Sequence, residues 1–174
     1  MRLFVSVDPP SPVVEILRGL ERPSVPGLRW TAPEQWHVTL SFLGEVADPG
    51  PVTAALGEVP GELRRAGAGP PTAVLGPSSA WFPGRQVLQV PVGGLGRLAE
   101  AVRVAVLPWT AEPEERLFTG HLTLARMRGG RRGPVALAGV ALQASWPVGT
   151  VDLMASTLDA DGASYQVVSS VALA

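Results

Sequence analysis

The feature that most constrains the fold is a four-residue pattern that occurs twice in strand-like surroundings. The chain contains only two histidines: His37 begins His-Val-Thr-Leu, and His121 begins His-Leu-Thr-Leu. In a β-strand, side chains two residues apart point to the same face. Each pattern therefore puts an imidazole and a hydroxyl on one face and two apolar side chains on the other. Two such matches would arise by chance in roughly 1 of 10,000 sequences of this composition, so we expect two similar strands in similar surroundings.

Strand, cap and turn signals divide the rest of the chain into short elements. β-Branched and aromatic runs predict strands, and a cap residue followed by proline opens two of three predicted helices. The predicted strands cover 2–7, 28–31, 36–43, 72–76, 86–92, 120–127, 148–158 and 164–173, and the predicted helices cover 11–22, 48–65 and 95–106. Loops are expected around Trp81 and over 108–118, and 135–145 fits either helix or strand. This order favours an α+β fold with largely antiparallel sheets, in a single domain of residues 1–174.

Composition excludes several kinds of chemistry. The chain has no cysteine, and all fourteen of its basic residues are arginine. Thiol catalysis, disulfides, thiolate metal sites and a covalent lysine intermediate are therefore excluded. The net charge is −1 and 46% of the residues are hydrophobic, which fits a packed core without the broad basic surface that long nucleic acids require. A nucleic-acid substrate should therefore be recognised at an end or over a short stretch.

The sequence carries no membrane signal. The first apolar run is short and is interrupted at Asp8, unlike the apolar region of a signal peptide. No stretch approaches the ~18 consecutive apolar residues of a membrane helix. We expect a cytoplasmic monomer that does not contact membranes.

Two imidazoles and two hydroxyls suit the opening of a cyclic phosphodiester. One group must activate water and another must protonate the departing oxygen, and histidine, with an ordinary pKa of ~6.5, can do either near neutral pH. The hydroxyls of Thr39 and Thr123 can donate to the charged oxygens of the transition state. This chemistry needs no metal and no other cofactor. The alternatives are two ordinary core histidines, or a metal site, for which two histidines without clustered carboxylates are a poor ligand set.

The chain resembles the 2H phosphoesterase superfamily, and within it the bacterial and archaeal RNA 2′,3′-cyclic phosphodiesterases, historically called 2′–5′ RNA ligases. The resemblance covers nearly the whole chain. It is carried by the opening strand RLFVSVD, the first motif WHVTLSFLGEV, the second motif HLTLAR and the closing hairpin LMASTLDADGASYQVV. It implies a bilobal fold in which two pseudo-symmetric antiparallel sheets face across a central cleft, with the helices outside.

The resemblance also implies an activity and roles for the motif residues. The substrate would be an RNA end or nucleotide with a 2′,3′-cyclic phosphate, opened to a 2′-phosphate. His121 would be the base that activates water, and His37 the acid that protonates the 3′ oxygen. Alternative functions are 2′–5′ ligation, hydrolysis of another small cyclic phosphate such as that of ADP-ribose, and binding of a nucleotide or RNA end without turnover.

Further residues are candidates for substrate binding. Arg126 matches the second motif, but in a regular strand it would face away from His121, so a bulge near Ala125 would be needed to turn it into the cleft. Ser41 should share the face of Thr39. Exposed aromatic side chains can stack on a base. The candidates for such stacking are Phe42, Trp81, Phe82 and Phe118, and the arginines of the turn 128–134 are candidates for phosphate contacts.

Overall fold

A computed structural model describes all 174 residues and is dominated by ten antiparallel strands with four helices. The strands are β1 (Arg2–Val7), β2 (Leu28–Trp30), β3 (Val38–Glu45), β4 (Thr72–Leu75), β5 (Ala80–Trp81), β6 (Val87–Gly93), β7 (His121–Met127), β8 (Ala144–Pro147), β9 (Thr150–Asp159) and β10 (Gly162–Ala172). The helices are α1 (Ser11–Arg18), α2 (Gly50–Gly57), α3 (Val59–Arg65) and α4 (Gly96–Val106). None of them has the length and apolar character needed to cross a membrane.

The strands form two halves that meet at one point. Their order is β10-β9-β1-β3-β7-β6-β4-β8. The first half consists of β10, β9, β1 and β3; the second consists of β7, β6, β4 and β8, with β2 added to β7 and β5 added to β6. The only residue pair between β3 and β7 is Val38 with Leu122, and both side chains are fully buried. The predicted α+β class and the two facing antiparallel sheets are confirmed, and the structure adds that the sheets are continuous through this one pair.

Apolar side chains on one face of the strands and helices build the core. A single cluster of 33 buried residues spans both halves. In α4 one apolar stripe is buried, because residues three and four apart share one face of a helix. It comprises Leu98, Ala99, Val102 and Val106, together with Leu95 just before the helix. Helix α4 packs on β3, and α1 and α2 contact β8 and β10. The helices therefore cover the sheets and leave the cleft face open.

Two of the predicted helices differ from those in the structure. The helix expected over 11–22 ends at Arg18, where Gly19 caps it. The helix expected over 48–65 is divided into α2 and α3, and Pro60 lies in the first turn of α3. Proline lacks the amide hydrogen that a continuous helix would use, so the chain begins a new helix there.

Two segments without a firm prediction also form local structure. The loop expected around Trp81 contains the short strand β5, which pairs with β6. The ambiguous segment 135–145 begins with a 3₁₀ turn at Val135–Leu137 and ends in β8. Both strands extend the second half of the sheet. Each is too short to be recognised from an alternating sequence pattern.

Each His-x-Thr-x motif ends in a β-bulge. In the pairing of β1 with β3, Ser6 is opposite Thr39 and Val5 is opposite Ser41, so Leu40 is an extra residue. In the pairing of β6 with β7, Gln89 is opposite Thr123 and Leu88 is opposite Ala125, so Leu124 is an extra residue. Leu40 and Leu124 both occupy the fourth position of their motif, and an extra residue changes which side chains face the cleft beyond it.

Candidate active site

The two motifs line one cleft between the halves of the sheet. The cleft has a volume of about 1020 Å³, and its lining includes His37, Thr39, His121 and Thr123. The histidines are brought together because each lies one residue from the Val38–Leu122 pair that joins the halves. Strand alternation then directs each imidazole and its threonine to the same side. No group of three or more His, Cys, Asp or Glu side chains is arranged to hold a metal ion.

Both imidazoles are held in the same way by the backbone. Nδ1 of His37 lies 2.7 Å from the carbonyl oxygen of Gln35, and Nδ1 of His121 lies 3.1 Å from that of Thr119. Since a carbonyl oxygen only accepts, each Nδ1 carries a hydrogen, and in the neutral ring Nε2 keeps its lone pair. Nε2 of His37 is 3.1 Å from Oγ1 of Thr39. Each ring is thus fixed by the residue two positions earlier, with Nε2 available for proton transfer.

Electrostatics distinguish His37 from an ordinary histidine. Burial lowers its pKa, the hydrogen bond to Gln35 opposes that effect, and the positive charges of His121 and Arg126 lower it further. Removal from water and nearby like charges both disfavour the charged imidazolium. In the free protein the neutral form of His37 is therefore favoured near neutral pH.

Arg126 faces the cleft because of the bulge at Leu124. It is among the lining residues, and its charge acts on His37. The extra residue reverses the alternation after Thr123, so the two adjacent residues Leu124 and Ala125 are both buried and Arg126 is exposed. The bulge that the sequence pattern required for this arginine is therefore present, one residue earlier than Ala125.

Comparisons with known proteins agree with this geometry. Residues 5–74 match a family described as LigT like Phosphoesterase. An RNA 2′,3′-cyclic phosphodiesterase of Aeropyrum pernix is 32% identical over 134 residues, and the match covers 69% of this chain and 69% of that protein. The chain belongs to the LigT-like phosphoesterase family. It is a phosphodiesterase of the 2H superfamily, the superfamily that the two motifs resemble.

Solved structures show the same fold for this LigT-like phosphoesterase. A Thermus thermophilus protein, TT0787, is 31% identical, with a TM-score of 0.78 over 99% of this chain and 98% of that one. Escherichia coli LigT, complexed with NADP+, is 26% identical, with a TM-score of 0.70 over 99% of this chain and 96% of that one. The match over almost the full length of each chain confirms the bilobal 2H fold.

The bulge in β3 exchanges the orientations expected for Ser41 and Phe42. Regular alternation predicted that Ser41 would share the face of Thr39, but the extra residue Leu40 shifts the alternation by one. Phe42 lines the cleft of this phosphoesterase with 62% of its surface exposed, and Ser41 is not among the lining residues. The expectation for Ser41 was wrong because a bulge depends on the partner strand β1.

Phe118 and Trp81 lie outside the cleft of the phosphoesterase, contrary to their prediction as base platforms. Phe118 is partly buried against the hydrophobic core. Trp81 is also packed against the core, and its Nε1 donates to the carbonyl oxygen of Pro134 at 2.8 Å. Its ring lies so close to Gly133 that a β-carbon there would overlap it. Packing therefore explains both side chains.

Three further aromatic side chains contact the histidines, and only Phe82 among them was a candidate from the sequence. The rings of Phe4 and Tyr165 lie 5.0 and 5.1 Å from that of His37, and the ring of Phe82 lies 4.8 Å from that of His121. The contacts of Tyr165 and Phe82 are edge-to-face, a favourable arrangement for aromatic pairs. Phe4 lies two residues before Ser6 in β1, so strand alternation places Phe4 on the face that carries Ser6 and, in the neighbouring strand, Thr39.

A polar row extends from Thr39 across the first half of the phosphoesterase. Ser6 is opposite Thr39 in β3 and opposite Asp152 in β9, and Asp152 accepts a hydrogen bond of 2.5 Å from Oγ of Ser170 in β10. Ser6 is fully buried. At the end of β1, burial and the carboxylate of Asp152 raise the pKa of Asp8 from 3.8 to about 6. The row was not visible in the sequence because it joins four separate segments.

Proposed function

We propose that the protein hydrolyses a terminal 2′,3′-cyclic phosphate of an RNA or nucleotide to a 2′-phosphate, by metal-independent acid–base catalysis with His37 and His121. The observation that carries the proposal is the convergence of both imidazoles and both threonines on one cleft. Each Nε2 is on the side of the ring opposite a fixed Nδ1, so both rings are oriented for proton transfer. Residues 1–174 would act as one unit, since a single core spans both halves.

The reaction follows from these groups. A base removes a proton from water as the water oxygen attacks phosphorus, and the bond from phosphorus to the 3′ oxygen breaks. An acid gives a proton to the 3′ oxygen, which leaves as a hydroxyl. Thr39 and Thr123 would donate to the non-bridging oxygens, where negative charge increases in the transition state.

We assign His121 as the base and His37 as the acid, as the family resemblance implies. An acid must be protonated when the 3′ oxygen leaves, whereas burial favours the neutral form of His37 in the free protein. The assignment therefore requires that the bound anionic phosphate raise the pKa of His37, as a nearby opposite charge does. Proton uptake on substrate binding is the corresponding signature.

Features of the cleft and the relatives support an RNA or nucleotide substrate. The Aeropyrum pernix relative is named as an RNA 2′,3′-cyclic phosphodiesterase, and E. coli LigT was crystallised with NADP+. Exposed Phe42 offers an apolar ring on which a base could stack. Arg126 supplies positive charge next to the imidazoles, where a phosphate would lie.

The central test is the turnover of nucleoside 2′,3′-cyclic phosphates by single variants. His37→Ala and His121→Ala should each lower kcat by at least about 10²-fold, the lower range for general acid–base catalysis. Arg97→Ala is the matched control, because Arg97 lies on the exposed side of α4 away from the cleft. Activity should survive EDTA; loss that a divalent metal restores would contradict the metal-independent mechanism.

A modified substrate separates the two histidine roles. If sulfur replaces the 3′ oxygen of the cyclic phosphate, the leaving thiolate needs no proton. The variant that lacks the acid should then recover most of its rate, and the variant that lacks the base should not. Recovery by His37→Ala supports the assignment, recovery by His121→Ala reverses it, and recovery by neither contradicts acid catalysis. Wild-type binding without turnover would indicate a binding module.

A further inference from the structure

Two arginines lie directly opposite each other beside the catalytic histidines. Arg29 in β2 pairs with Arg126 in β7, and both line the cleft. Like charges on directly opposite residues of neighbouring strands destabilise a sheet. Neither arginine forms a salt bridge, since the four ion pairs of the protein involve other residues. The fold therefore retains two adjacent cations without a protein anion between them.

The position of Arg29 is built by specific contacts of a short strand. The amide of Thr31 donates to the carbonyl oxygen of Leu124 at 2.8 Å, and Nε1 of Trp30 donates to that of Pro23 at 3.0 Å. The guanidinium of Arg29 also donates to the main-chain carbonyl oxygen of Asp161 in the β9–β10 turn. That acceptor is a neutral carbonyl group, and Arg29 forms no ion pair with the carboxylates of Asp159 and Asp161 in the same turn.

The arginine pair lies on one side of the reacting centre. Arg126 is two residue pairs beyond Thr123 in the β6–β7 ladder, since Gln89 is opposite Thr123 and Val87 is opposite Arg126. Two pairs correspond to about 7 Å along a strand, which is comparable to the spacing of neighbouring phosphates in an extended nucleotide chain.

The opposite side of the cleft has acidic lining residues. Glu112 lines it next to Ala111, whose amide donates to the carbonyl oxygen of Leu43 at 2.9 Å, and Glu45 lies at the end of the same strand. Arg2 also lines that side, and Glu45 is paired with the N-terminal ammonium, so the charges there largely balance. At the arginine pair, two guanidinium groups stand against one lining carboxylate, that of Asp159, so the local charge favours a phosphate beside Arg29 and Arg126.

We infer that Arg29 forms a second anion subsite beside Arg126, and that this subsite takes the 5′ phosphate of the nucleotide that carries the cyclic phosphate, while Arg126 also faces the reacting phosphate. The inference rests on the proposed function. The 5′ phosphate would be a phosphodiester in RNA, a monoester in a nucleotide, or half of a pyrophosphate in a dinucleotide. A nucleoside 2′,3′-cyclic phosphate without a 5′ phosphate lacks this contact.

The test compares substrates that differ only in the 5′ group. The kcat/KM of wild type is measured for adenosine 2′,3′-cyclic phosphate, for the same compound with a 5′ phosphate, and for a dinucleotide that ends in the cyclic phosphate. Wild type should prefer the two substrates with a 5′ phosphate by roughly tenfold or more, the scale of a charge-assisted contact. The preference should decrease as salt is added, because the contact is between exposed charges. A larger preference for the 5′-phosphorylated nucleotide points to a phosphate monoester as the natural ligand of the subsite, and a larger preference for the dinucleotide points to a phosphodiester of RNA.

The decisive variant is Arg29→Gln, since glutamine keeps a polar side chain but carries no charge. It should remove most of the preference and leave kcat/KM for adenosine 2′,3′-cyclic phosphate within about twofold, a change of less than about 0.5 kcal/mol. Arg97→Gln is the matched control and should keep the preference. Absence of a preference in wild type, or equal losses on all substrates in Arg29→Gln, would overturn the subsite.

A binding measurement separates failure of the subsite from failure of the proposed function. Calorimetry with adenosine 2′-phosphate and adenosine 2′,5′-bisphosphate reports the 5′ contact without turnover. Tighter binding of the bisphosphate by wild type but not by Arg29→Gln supports the subsite even if no cyclic phosphate is hydrolysed. Equal binding of the two ligands by wild type refutes it, whatever the activity.

Discussion

Asp8→Asn should stabilise the protein at pH 7 and leave its stability nearly unchanged below pH 4. Burial and the neighbouring Asp152 carboxylate raise the pKa of Asp8 from 3.8 to about 6. Between these values the folded protein keeps a proton that the unfolded chain releases, so the stability contribution of Asp8 decreases as the pH rises through this window. Above pH 6 the folded protein holds an unfavourable carboxylate, which asparagine replaces with a neutral group.

The magnitude follows from the size of the pKa change. A change from 3.8 to about 6 corresponds to at most about 3 kcal/mol for a fully shielded group. Because Asp8 keeps substantial contact with solvent, screening should reduce the effect to about 1 kcal/mol. We therefore expect Asp8→Asn to raise the free energy of unfolding by about 1 kcal/mol at pH 7 and by much less at pH 4.

Urea unfolding followed by tryptophan fluorescence at pH 4 and pH 7 measures this difference. Glu21→Gln is the control, because Glu21 is exposed and forms no ion pair. The comparison uses the difference between variant and wild type at each pH, so that titration of other carboxylates cancels. A variant that is less stable at pH 7, or equally shifted at both pH values, would refute the reasoning.

Three further predictions concern the cleft and the junction of the two halves. Arg126→Gln should raise the pKa of His37 by removing a positive charge, and so move the corresponding limb of the kcat/KM profile to higher pH; an unmoved limb would argue against the electrostatic coupling. Thr123→Ala should lower kcat on the order of 10²-fold, as loss of a transition-state donor does, and an unchanged kcat would deny it that role. Leu122→Ala should cost about 2–5 kcal/mol in urea unfolding because the side chain is fully buried, whereas the same change at Leu117, which is 94% exposed, should have little effect.

The strands that carry the histidines could be predicted because their signal is local. Strand alternation placed His37 beside Thr39 and His121 beside Thr123 on one face, and all four line the same cleft. The facing arrangement of the two strands came from the family resemblance. Composition and spacing alone do not determine which strands become neighbours.

The side chains beyond each motif could not be placed from alternation alone. The bulges at Leu40 and Leu124 depend on the register of the neighbouring strands β1 and β6, so the faces of Ser41 and Arg126 were decided by residues far away in sequence. The pairing of Arg29 with Arg126 is non-local in the same way. By contrast, the division of the second predicted helix has a local cause, Pro60. The apolar residues on both sides of Pro60 favoured one continuous helix, so the break was not predicted.

The single residue pair between β3 and β7 has a mechanical consequence. Val38 and Leu122 act as a pivot for any rotation of one half against the other, and each histidine lies one residue from it. Displacement grows with distance from a pivot, so a small rotation would hardly alter the gap between the imidazoles but would shift the outer walls of the cleft considerably. Proton transfer could therefore keep a constant geometry while the mouth adapts to differently shaped ligands.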